Sequence, residues 1–83
     1  MGLRSTPTPK LQVTCLDGEA CILFLEPWGT EVEVRQGNGL TIESTAFLTG
    51  DVEIGFVPEG IMAVFTADVP ISITDEHGRR YGV

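Results

Sequence analysis

Four glycine-bearing turns divide this chain: Asp17-Gly18, Gly37-Asn38-Gly39, Pro58-Glu59-Gly60 and Glu76-His77-Gly78. Each lies between runs rich in Val, Ile, Leu, Phe and Thr. Short β-forming runs joined by turns that tolerate positive φ read as successive hairpins, so the spacing predicts an all-β domain. No segment sustains the helical apolar period of about 3.6 residues, and no substantial helix is expected.

Eight strands are predicted, at about Leu11–Leu16, Glu19–Leu25, Thr30–Gln36, Leu40–Thr45, Asp51–Val57, Ile61–Thr66, Ile71–Thr74 and Arg79–Gly82. That many strands in 83 residues cannot remain one flat sheet; they close into a barrel or split into two packed sheets. Proline breaks at Pro27 and Pro70 mark the expected crossings between sheets. The expected architecture is a small antiparallel β-sandwich, jelly-roll or immunoglobulin-like, with a small closed β-barrel as the alternative. Residues 1–10, which hold Ser5, Thr6, Pro7, Thr8 and Pro9, read as a flexible N-terminal tail. Residues 11–83 form the single domain.

The charge is lopsided. The chain carries 5 Lys and Arg against 12 Asp and Glu, and Arg4 and Lys10 both fall in the tail. Residues 11–83 therefore hold three basic and twelve acidic side chains. Such a surface repels a phosphate backbone, which argues against nucleic acid and favours a basic protein or a cation. No apolar run approaches the roughly 20 residues of a membrane-spanning helix, and no membrane association is expected. The first ten residues lack the apolar stretch of a secretory signal.

Cys15 and Cys21 flank the Asp17-Gly18 turn. A two-residue hairpin there sets Cys15 opposite Ala20 and Thr14 opposite Cys21. The two thiols then point to opposite faces and stay unbridged. That register gathers Leu11, Val13, Cys15, Ala20, Ile22 and Phe24 on one side. Two reduced cysteines fit a cytoplasmic protein, and two thiols fall short of a structural zinc site.

Chemistry-bearing residues are few. A three-residue hairpin at Gly37-Asn38-Gly39 sets Glu33 directly across from Glu43, with Arg35 diagonal and Glu31 and Glu53 nearby. Such a cluster is either a solvated acidic strand face or a calcium site built from carboxylate oxygens. Trp28, between Pro27 and Gly29, either plugs one end of the core or stacks on a sugar ring. The sole histidine, His77, cannot build a multi-histidine metal centre. A Ser/His/Asp set from Ser44 or Ser72, His77 and Asp75 has no supporting spacing, and no nucleophile elbow exists. Gly37-Asn38-Gly39 leads into a strand, so it lacks the helix terminus a phosphate site needs. No cofactor is implied, and nothing points to an enzyme.

One further feature bears on function. The second and sixth predicted strands are apolar on both faces, while a domain of this size has one interior. The surplus apolar face needs cover from loops or another chain. The expected function is a non-catalytic protein-interaction or self-associating module. The alternative is a sugar- or calcium-binding module using Trp28, Glu31, Glu33 and Glu43.

Overall fold

A computed structural model describes residues 8–83, and they form an all-β fold of two four-stranded sheets. The strands are β1 (Lys10–Thr14), β2 (Ala20–Glu26), β3 (Thr30–Arg35), β4 (Gly39–Glu43), β5 (Val52–Val57), β6 (Gly60–Phe65), β7 (Ser72–Asp75) and β8 (Arg80–Tyr81). A single turn of helix, α1 (Ala46–Thr49), separates β4 from β5. One sheet has the order β1-β4-β7-β8 and the other β3-β2-β6-β5. They do not close into a barrel, which removes that alternative.

One core joins the sheets. Val13, Leu40, Ile42 and Ile73 reach it from the first sheet; Leu23, Leu25, Val32, Val34, Ala63 and Phe65 reach it from the second. Cys15 and Ala46 complete it from the connections. The clean alternation of β3 puts Val32 and Val34 inward and leaves Glu31, Glu33 and Arg35 outside, as the period of two requires.

Two of the four turns do not make hairpins. β1 pairs with β4, and β2 pairs with β3 and β6. Both edges of β2 are thus filled, and none is left for β1. In the same way β4 is filled by β1 and β7, so β3 cannot pair with it. The Asp17-Gly18 and Gly37-Asn38-Gly39 turns instead carry the chain from one sheet to the other. They are laced together: the Gly37 N–H donates to the Cys15 carbonyl at 3.0 Å, and the Gln36 N–H donates to the Glu19 carbonyl at 2.9 Å. Gly18 and Gly37 still supply the positive φ, 82° and 83°, that such sharp reversals demand.

Pro27 is also not a crossing. The Glu26-Pro27 peptide bond is cis, and the Gly29 N–H closes the turn onto the Leu25 carbonyl at 3.0 Å. β2 and β3 are therefore a hairpin, with Leu25 opposite Thr30. The Pro70 break does lie between β6 and β7, where the chain changes sheets. The turns at Pro58-Glu59 and at His77-Gly78 join paired neighbours, β5 to β6 and β7 to β8.

The expectation of wholly antiparallel pairing fails at the centre of the second sheet. β2 and β6 run parallel, with Phe24 beside Met62 and Ile22 beside Gly60. Gly60 permits this contact: a Cβ there would collide with the backbone carbonyl of Ile22. At the N-terminal end, Lys10 belongs to β1, and the Pro9 carbonyl accepts from the Ser44 N–H at 3.2 Å. Folded structure thus starts before Leu11. The tail expectation for residues 1–7 lies outside the described residues.

Candidate functional site

The β2 register turns three expected core residues, Ala20, Ile22 and Phe24, outward. Leu23 and Leu25 are buried, while Ile22 and Phe24 face away from the core together with Met62 and Val64 of β6. All four are half-buried and stand outside the core cluster. Ala20, expected inside, is exposed.

The pairings place these side chains in rows across the outer face. One row runs Glu31, Phe24, Met62, Gly55. The next runs Glu33, Ile22, Gly60, Val57. A third runs Glu26, Val64, Glu53. The result is an apolar patch with glutamates at its borders: Glu31 and Glu33 along β3, and Glu26 and Glu53 at the ends of β2 and β5. Gly55 carries no side chain and has open space where its Cβ would stand, beside Met62. No Lys or Arg occurs on β2, β5 or β6, or anywhere between Arg35 and Arg79. Arg35 reaches Glu33, Nε to Oε1 at 3.6 Å, with both side chains exposed. An exposed pair of this kind leaves the acidic border nearly intact.

The predicted acidic cluster is not assembled. Glu33 lies on β3 of one sheet and Glu43 on β4 of the other, where its strand partners are Lys10 and Ser72. Glu31 and Glu33 do share an edge, and Glu53 sits across the whole sheet from them. Among the described residues no three His, Cys, Asp or Glu side chains converge to hold a metal ion. Trp28 packs on Phe65, with ring centroids 5.4 Å apart and planes tilted by 52°. Phe47 meets Phe65 edge-on at 6.2 Å. The indole thus closes one end of the core and keeps its outer rim in water.

A polar cleft of roughly 270 Å³ lies between the sheets at the β7–β8 turn. Glu33, Arg35, His77, Arg79 and Tyr81 border it around Asp75. Sequence reasoning passed over Asp75 except as a nominal triad member, yet it organises this corner. Its Oδ1 accepts the N–H groups of His77 and Arg79 at 2.9 and 2.8 Å. Its Oδ2 accepts the Tyr81 hydroxyl at 3.0 Å. Desolvation opposes ionisation here, but the Arg79 N–H, the Tyr81 hydroxyl, the His77 N–H and the Arg79 charge outweigh it. They hold the carboxyl below the usual carboxylate range. The same bond, with burial and the Asp75 charge, raises the Tyr81 phenol. Both oxygens of Asp75 are engaged; near neutral pH the carboxyl stays ionised and the Tyr81 phenol stays protonated. The arrangement staples a turn and offers no poised acid or base. Ser44, one of the two serines considered for that nominal triad, is buried, and its Oγ accepts the Ala46 N–H at 3.1 Å.

The two cysteines come together, contrary to the hairpin expectation. Cys15 and Cys21 both point inward because β1 and β2 lie in different sheets. Both are free. A hydrogen bond with Cys15 raises the Cys21 thiol, aided by burial and by the negative charge of Asp17.

Among the described residues no helix is long and apolar enough to cross a membrane. No protein-family model, no curated protein and no solved structure matches this chain.

Proposed function

We propose that this chain is a non-catalytic protein-interaction module, built as a β-sandwich, that engages a basic partner through the outer face of the β3-β2-β6-β5 sheet. The observation that carries it is the patch of Ile22, Phe24, Met62 and Val64, bordered by Glu26, Glu31, Glu33 and Glu53. Apolar contact supplies affinity at such a surface, and the border charges supply selectivity and steering. A second copy is the poorer occupant of this face, because stacking two copies brings two sets of four glutamates together. The shared core supports the sandwich reading. The parallel β2–β6 pair departs from the jelly-roll and immunoglobulin arrangements, which are antiparallel. Two free thiols support a reducing compartment, and we assign the cytoplasm.

The test is affinity capture from the native host with the intact chain and with the double variant Phe24→Ser, Met62→Ser. Circular dichroism first establishes that the variant folds. The expected result is a basic protein retained by the intact chain and lost from the variant. Identical retained sets for both chains would sink the proposal.

A further inference from the structure

We infer that β5 is a strand-acceptor edge, and that it takes an extended segment of the partner with alternating apolar and basic side chains. This rests on the protein-binding reading above and specifies the partner's contacting chemistry.

Among the described residues β5 ends its sheet, with β6 on one side and no strand on the other. The opposite edge, β3, carries Glu31, Glu33 and Arg35 along six residues, the kind of charge that blunts an edge. β5 has the sequence Val-Glu-Ile-Gly-Phe-Val, with one charge. Phe56 is 86% exposed and Ile54 is 39% exposed. Both belong to the inward face of the sheet, because their strand partners are Ile61 and Ala63. The first sheet does not reach over them. A large apolar side chain so exposed on an edge with a single charge is an association site.

The backbone is free at the same residues. The Thr66 N–H donates to the Asp51 carbonyl at 2.9 Å, which fixes the alternation along β5. Glu53, Gly55 and Val57 direct their N–H and C=O groups at β6; Val52, Ile54 and Phe56 direct theirs away from it. An added strand can bond to these three residues. Its inward side chains meet Ile54 and Phe56 and must be apolar. Its outward side chains meet Glu53 beside the acidic-bordered patch, and Asp51 and Glu59 mark the two ends of β5. These charges call for Lys or Arg. A second copy pairing β5 to β5 sets those same three acids against themselves, so a foreign basic strand is the better match.

The experiment titrates the ¹⁵N-labelled full chain with the hexapeptide Lys-Val-Lys-Val-Lys-Val, with Glu-Val-Glu-Val-Glu-Val as the control. The Lys peptide is expected to shift and protect the amides of Val52, Ile54 and Phe56, and the Glu peptide is not. Phe56→Lys should weaken binding by about tenfold or more. Because Phe56 touches little, that variant keeps the fold. Ile54→Pro removes an outward N–H and should abolish the protection. Shifts confined to the Phe24 and Met62 neighbourhood would overturn the edge inference and leave the outer-face reading intact. No shift anywhere would overturn both. Protection of the same amides without peptide, with a doubled mass in sedimentation, would overturn the foreign strand in favour of a second copy.

Discussion

Trp28 rests on Phe65 with the ring centroids 5.4 Å apart, and Phe65 is in turn nearly buried beneath it. The pair joins the β2–β3 turn to the last residue of β6, so the parallel pairing of β2 and β6 is fastened at that end by aromatic contact. Removing the ring in Phe65→Ala leaves a cavity under the indole. The expected cost is about 3–5 kcal/mol in denaturant unfolding. Because Trp28 is the chain's single tryptophan, its emission reports the event directly. A red shift is expected in the folded variant. An unshifted spectrum with unchanged stability would mean that the indole does not sit on Phe65.

Gly60 makes the other end of that pairing. Its φ of 158° and the collision of any Cβ with the Ile22 carbonyl leave no room for a side chain. Gly60→Ala should destabilise by about 1–3 kcal/mol, because the two parallel strands must separate to admit the methyl group. Gly55, on the neighbouring strand, has open space where its Cβ would stand. Gly55→Ala should stay within about 0.5 kcal/mol of the parent. Chemical denaturation of both variants decides the matter, and equal effects would contradict the close approach.

What could be read in advance follows the distance over which the information acts. The Pro58-Glu59 and His77-Gly78 turns join strands that also pair, and local turn chemistry was enough to place them. Asp17-Gly18 and Gly37-Asn38-Gly39 have the same local chemistry, yet they cross between sheets. A turn reverses the chain; whether its flanks then pair depends on which strand edges are already taken, and that is settled by residues far away in sequence. The double-sided apolar character of β2 and β6 was legible, as was the outward set Glu31, Glu33 and Arg35. The border of the patch was not, because Glu26 comes beside Val64, and so into one row with Glu53, only through the parallel β2–β6 register. The error in the β2 face followed from the assumed hairpin and carried Cys15 and Cys21 with it. Asp75 had a readable signal: an Asp opening a glycine turn accepts the N–H two residues on.

Asp75 makes stability depend on acid. Its folded pKa is depressed by the N–H groups of Arg79 and His77, the Tyr81 hydroxyl and the Arg79 charge, which prevail over desolvation. A depressed carboxyl contributes stability that is fully present above its unfolded pKa and lost as pH falls through the folded value. Unfolding midpoints should therefore decline below the ordinary carboxylate range, near pH 4 and under. In Asp75→Asn that part of the decline should vanish, while the midpoint at neutral pH drops because an amide replaces the charged acceptor. Parallel acid limbs for the two proteins would show that Asp75 does not contribute.

The thiol pair gives a chemical readout of the way the sheets are joined. Cys21 is held in its protonated form by its hydrogen bond with Cys15, by burial and by the nearby negative charge of Asp17. Thiolate is the reactive species, so Cys21 should alkylate more slowly than a free thiol at about pH 8, where an ordinary cysteine is partly ionised. Cys15 is almost fully buried and should be slower still in the native protein. Cys15→Ala removes the hydrogen bond, and the Cys21 rate should rise severalfold toward the free-thiol value. Mass spectrometry of timed iodoacetamide reactions measures each site separately. Had β1 and β2 formed the hairpin that their shared turn suggests, the thiols would lie on opposite faces and Cys21 would not respond to the substitution at Cys15. An unchanged Cys21 rate in Cys15→Ala would therefore argue against the separation of β1 and β2 into different sheets, and an increased rate supports it.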